Sequence, residues 1–406
     1  MRAAVLMIAL GFASAAAAQQ EDSALVERAR RLHDAVITID THDDISAGFG
    51  TEAVNPCTRL HRQVDLVKMQ EGGLDVAFFV VYVGQGERTP EGHERALAEA
   101  LGKFAAIRRV PEQLCPDQAG LALRAADVER IVGSGRRAIV IGIENGYPIG
   151  RDVSLVRRFH ELGGRYLSLT HMGHNDLADS SNPGPGEPWQ EHGGLSALGR
   201  DVVAEMNRVG MMIDVSHVGK AAMLEATRLS RAPVIASHSS ARAVNDNLRN
   251  LDDEQLHAIR ANGGVVQAVA FGQYVRNDPP EKVAALARLR AELGISAGLR
   301  ALSAEQRAEY LRRRAELDAH WPRPDLAAFV DHIDYLVRLI GIDHVGISSD
   351  FDGGGGVTGW ADASETFNVT LELVRRGYGD AEVARLWGGN LLRVWRAVEQ
   401  VAEAAP

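Results

Sequence analysis

The chain reads as an α/β protein, a closed (β/α)8 barrel with a helical insertion between strands 7 and 8, on three observations. Eight short apolar runs alternate with longer stretches of helical periodicity. The runs are apolar throughout rather than at every second residue, as strands are when both faces of a parallel sheet are covered. Five of them end in His, Glu or Asp, where a barrel of this kind carries its active site. In order, the runs are AVITID (35–40), LDVAFFVVYV (74–83), AIVIGIE (138–144), RYLSLTH (165–171), MMIDVSH (211–217), PVIASHS (233–239), GGVVQAVAF (263–271) and DHVGISSD (343–350). Helical patterns fall at 93–107, 152–162, 196–209, 219–230, 253–261 and 324–340. An open doubly wound sheet is the alternative, but no Gly-rich dinucleotide fingerprint follows the first run. The connection 272–323 is longer than a plain loop needs to be and is rich in Arg, Glu and Ala. It predicts helices forming a lid, a contact within a homodimer, or a solvated excursion.

Bulk properties narrow the function. With 406 residues, 46% apolar and 24% charged, the chain can bury a large core. A net charge of −10 argues against a nucleic-acid partner. The N-terminus, MRAAVLMIALGFASAAAAQQ, has one Arg, an apolar run too short to span a bilayer, and Ala16 and Ala18 in A-x-A spacing. It reads as a signal peptide, residues 1–18, cut before Gln19. A single domain over 19–406 is then expected, exported to the periplasm or secreted, with no membrane span after cleavage. No Cys follows the small residues and VEQVAEAAP lacks a hydrophobic tail, so a lipid anchor is not expected. Cys57 and Cys115 could pair in an oxidising compartment, although spacing alone does not establish it. Without CxxC there is no thiolate zinc site, and G-x-S-x-G, P-loop and H-E-x-x-H motifs are absent.

The polar strand ends carry the chemistry. In DTHDDIS (40–46), alternation places Asp40, His42 and Asp44 on one face and Asp43 on the other. Glu144, His171, His217 and Asp350 end later runs and His238 lies one residue before the end of another, so a barrel would gather them at one mouth. Each alone could be a loop or core residue; together they make a metal site. Imidazoles with carboxylates and no thiolate suit zinc, with Mn, Co or Fe as substitutes. The ligands exceed what one catalytic zinc takes, and two ions sharing a carboxylate would use them.

The motifs DTHDD, GIENG, LTHMGHNDLADSS, IDVSHV, PVIASHSSARAV, LRN and VGISSDFDG resemble, in order over about residues 35–395, those of the membrane (renal) dipeptidase family, zinc dipeptidases of the amidohydrolase superfamily. The resemblance implies a (β/α)8 barrel and two zinc ions. His42 and Asp44 would bind one, His217 and His238 the other, and Glu144 would bridge them. It also implies that His171 polarises the substrate, Asp350 transfers the proton, Arg249 binds the substrate carboxylate and Tyr274 contacts substrate nearby. Dipeptides would be hydrolysed by a metal-bridging hydroxide. His174, Asn175 and Asp176, just beyond His171, are expected to serve loop hydrogen bonding. Two other readings stay open: a related amidohydrolase acting on N-acyl amino acids or β-lactams, and an exported metal- or peptide-binding protein without turnover.

Overall fold

A computed structural model describes residues 22–46, 48–295 and 304–404; the expected leader and its cleavage site lie outside the described residues. Among the described residues nine strands form one sheet: β1 (Ile39–Asp44), β2 (Val76–Tyr82), β3 (Ala119–Leu121), β4 (Arg137–Glu144), β5 (Gly164–Ser168), β6 (Met212–Asp214), β7 (Ile235–Ala236), β8 (Val265–Val269) and β9 (Val345–Ser348). Eight of them follow in the order β1-β2-β4-β5-β6-β7-β8-β9, each parallel to the next. The ring is nearly closed by a bridge between Asp43 and Phe351, in which Asp44 N donates to Phe351 O at 2.8 Å. Helices run between the strands, so the predicted (β/α)8 barrel is the fold.

The six expected helices occur within a few residues of their predicted limits, such as Pro90–Arg109 for 93–107 and Ala197–Val209 for 196–209. The first strand differs more. It begins at Ile39 rather than residue 35, because a helix over 22–35 ends there and residues 36–38 lead from it into the strand, and it runs through the THDD motif itself. Its pairing with β2 shifts register between Asp40 and Asp43, so strict alternation does not hold. Asp40 turns to β9 and accepts from Ser349 N at 2.9 Å. β3 is a three-residue addition outside the ring, paired only with β4, and too short to have stood out in the sequence.

The barrel interior is filled by Ile39, Val76, Phe78, Val140, Tyr166, Met212, Ile235 and Val265, contributed by successive strands. A C-terminal helix, Asn390–Glu403, adds Leu391, Leu392, Trp395 and Val398 to the same cluster, with Trp395 6.1 Å from the Phe78 ring. A second, larger apolar layer lies between strands and surrounding helices. The insertion is helical, as expected: a one-turn helix, Gly272–Val275, precedes Pro280–Glu292 and Ala304–His320. Lys282 ties it together, its ammonium 3.0 Å from each of Asp278, Asp318 and Trp321 O. Cys57 and Cys115, 58 residues apart, form a disulfide. Among the described residues no helix is long and apolar enough to cross a membrane.

Candidate metal centre

The expected ligands arrive at one place from different strands. His42 and Asp44 lie on β1 and Glu144 ends β4. His171, His217, His238 and Asp350 sit two or three residues beyond β5, β6, β7 and β9 rather than on them. Those short extensions bend sharply. Among the described residues, the non-glycine positions with positive φ are Asn145 (78°), His217 (68°), Asp350 (59°) and Asp352 (62°). All four lie at or next to this site. Asn, Asp and His tolerate the left-handed region better than most residues, yet each such position still costs on the order of 1–3 kcal/mol.

Glu144 is the centre of the cluster. Its Oε1 is 3.0 Å from His217 Nε2, 3.3 Å from His238 Nε2, 3.6 Å from His42 Nε2 and 3.8 Å from His171 Nε2. The nitrogens of His217 and His238 are 2.9 Å apart. Three compact donor groups overlap here: His42, Glu144 and His238; Glu144, His171 and His217; and His42, Asp44 and Asp350. Every member except His171 is buried. A glycine makes space for the carboxylates: a Cβ on Gly353 would lie 2.0 Å from Asp350 Oδ1 and 2.3 Å from Asp44 Oδ2.

Partners that the sequence reading missed orient the imidazoles. The Tyr166 hydroxyl donates to Thr41 O at 3.0 Å, so at 2.9 Å it accepts from His42 Nδ1–H, and His42 Nε2 faces the carboxylate. Ser237 Oγ donates to Asp214 Oδ2 at 2.6 Å and accepts from His238 Nδ1–H at 2.8 Å, which leaves His238 Nε2 as a bare lone pair. Hydrogen bonds of this kind fix the tautomer and ring direction of metal-binding histidines. Tyr166 fits because residue 142 is glycine: a Cβ there would lie 2.2 Å from Tyr166 Cζ. The one available signal was the Gly within AIVIGIE.

Ionisation follows from burial and these neighbours. Burial alone would raise Glu144, but the His171 and His42 charges and a hydrogen bond from His217 hold it well below the usual carboxylate range. Burial drives His217 and His238 well below ordinary imidazole values. Burial also pushes His42 down, but Glu144, Asp350 and Asp44 raise it to about 9. Burial, with Asp44 and Glu144 adding to it, pushes Asp350 well up against the pull of His42 and Arg249. Neutral His238 therefore aims a lone pair at a carboxylate oxygen 3.3 Å away, a repulsive arrangement that a cation between them makes favourable. The donor set fits divalent metal.

Beside this cluster, Arg249 is buried, donates through Nη2 to His238 O at 3.1 Å, and has no hydrogen-bond partner at Nε. Its guanidinium carbon lies 5.1 Å from the Tyr274 ring centre, and Tyr274 stacks on Phe271 at 4.2 Å. The Tyr82 ring meets His171 edge-on at 4.7 Å. The loop after His171 behaves as expected. Asn175 Nδ2 donates to Asn145 Oδ1 and Leu169 O, His174 Nδ1 accepts from Ser180 N, and Asp176 pairs with His93 and Arg151.

Comparison with known proteins agrees with this geometry. The membrane dipeptidase family, peptidase family M19, matches residues 26–406. Dipeptidase tcpJ of Claviceps purpurea is 33% identical over 352 residues, 86% of this chain and 72% of that protein. Dipeptidase 3 of Rattus norvegicus is 30% identical over 342 residues, 84% of this chain and 59% of that protein. The crystal structure of the probable dipeptidase PvdM from Pseudomonas aeruginosa superposes with a TM-score of 0.83 at 35% identity, covering 94% of this chain and 100% of that one. With a metal-ready cluster at the mouth of a (β/α)8 barrel and a family match over nearly its whole length, the chain belongs to the membrane dipeptidase family of hydrolases, the M19 metallopeptidases.

Proposed function

We propose that the protein is a binuclear zinc dipeptidase acting outside the cytoplasm. The observation that carries this reading is Glu144, one buried carboxylate oxygen with four imidazole nitrogens within 3.8 Å. His42 and Asp44 would hold one ion, His217 and His238 the other, with Glu144 between them. Such a pair supplies Lewis acidity and an activated water for attack on an amide carbonyl.

The remaining roles belong to the chain's own groups. His171, the one member of the cluster that is not fully buried, is placed to donate a hydrogen bond to the oxygen on which charge develops. Asp350 accepts the proton released during attack and delivers it to the leaving amine; burial that raises its proton affinity suits that task. Arg249, with its free Nε, grips the C-terminal carboxylate of the substrate, and Tyr274 buttresses it. A carboxylate anchor so close to the metal ligands favours dipeptides over longer chains. The disulfide supports an oxidising compartment, and N-terminal sequencing of protein from its host should begin near Gln19.

Two measurements test the reading. Elemental analysis should return two divalent ions per chain, and Glu144→Ala should weaken both sites and abolish hydrolysis; one ion in fully active protein would refute the binuclear arrangement. Arg249→Ala should lower kcat/KM for free dipeptides by an amount equivalent to about 2–5 kcal/mol, and should remove their advantage over C-terminally amidated ones. An unchanged preference for the free carboxylate would show that Arg249 is not the anchor.

A further inference from the structure

One cleft at the barrel mouth is lined by both His217 and Arg249 and runs outward past Val218 and Leu251 to Trp189 and Leu248. Val218 and Leu251 are buried, but Trp189 is 62% and Leu248 46% exposed, among the most exposed large apolar side chains described. Apart from Arg249, the cationic side chains of the cleft are already matched: Lys220 pairs with Asp252 and Glu254, and Arg242 with Asp246. Its apolar rim is not. Nor is the Trp189 position that of a loose loop. On one side Glu187 accepts from His174 N and Gly184 N and Pro188 O meets His174 Nε2; on the other, Glu191 N and His192 N donate to Asp179. The chain thus holds an indole in water beside its metal centre, and exposed apolar surface in such a place marks a binding contact.

We infer that this cleft receives the side chain of the substrate's C-terminal residue, and that Trp189 and Leu248 make the enzyme prefer a large apolar one, such as Leu or Phe. The inference rests on the dipeptidase reading above and deepens it. The α-carbon of that residue carries three heavy-atom groups. Its nitrogen is the leaving group at the metal centre and its carboxylate sits on Arg249. The third group is then directed, for one of the two enantiomers, into the space bounded by His217 and Arg249, which is this cleft.

The test compares kcat/KM for Ala-Gly, Ala-L-Leu and Ala-D-Leu using zinc-loaded full-length protein, Trp189→Ala and Trp189→Phe. At least one leucyl dipeptide should exceed Ala-Gly about tenfold or more, the usual worth of burying a side chain of that size. Trp189→Ala should bring that ratio close to one, and Trp189→Phe should retain most of it. A ratio near one in the parent, or one untouched by Trp189→Ala, overturns the inference while Ala-Gly hydrolysis leaves the dipeptidase reading standing. Loss of hydrolysis of every dipeptide in the parent would overturn that reading and the inference together.

Discussion

At the C-terminal ends of the strands, the barrel gathers His, Asp and Glu side chains, partly on backbone bent into the left-handed region, into a donor set suited to divalent metal. At the opposite end, the same strands bury Ile39, Val76, Phe78 and Val265 against Leu391, Trp395 and Val398 of the C-terminal helix, with regular parallel pairing above. One end stores strain and like charge; the other supplies the apolar burial that tolerates it. The contrast shows how a fold of ordinary composition can hold a site that would be unstable alone. It also predicts that substitutions at the two ends will separate: those at the mouth change chemistry and leave stability alone or improve it, and those at the base do the reverse.

The largest effect expected is at Asp350. Asp350→Asn keeps the shape and a residue type that accepts positive φ but cannot take up a proton. kcat should fall by roughly 10²–10⁴ with both ions retained. Because a buried carboxyl is replaced by a neutral amide, the variant should melt no lower than the parent. A near-normal kcat, or loss of an ion on elemental analysis, would assign Asp350 a different role.

At the base, Trp395→Ala should lower the unfolding free energy by about 3–5 kcal/mol, as loss of a fully buried aromatic does, while the folded fraction keeps its kcat/KM. Denaturant melts alongside kinetics on folded protein make the comparison. A variant that melts normally but turns over slowly would mean that the two ends are coupled and the contrast is wrong.

Smaller still is the disulfide. Replacing Cys57 and Cys115 together by Ser should cost about 2–4 kcal/mol, chiefly by freeing the unfolded chain, and kcat/KM should not move. An unchanged melting temperature in oxidising buffer would show that the loop between them carries no constraint.

Much of the site was legible because its chemistry resides in residue types that a strand-end pattern exposes. His42, Asp44, Glu144, His217, His238 and Asp350 were all visible in sequence, and all converge. What alternation could not foresee was the register shift in β1, which sends Asp40 to Ser349 and away from the donor cluster. That shift depends on where β2 and β9 lie beside the strand, and periodicity within a single strand carries no information about its neighbours.

The amino-acid order by itself determined the repeating strand–helix units, hence the barrel, and the metal-binding character of its rim, because apolar runs and ligand types are local properties of the chain. Tertiary structure alone decided how the ligands are presented. Tyr166 reaches His42 from 124 residues away, through space left by Gly142, and Asp214 acts on His238 through Ser237. It also decided that Cys57 meets Cys115, and that the helix Asn390–Glu403 closes the base. Each of these depends on a distance between segments remote in sequence, and such distances exist only once the apolar core has brought the segments together.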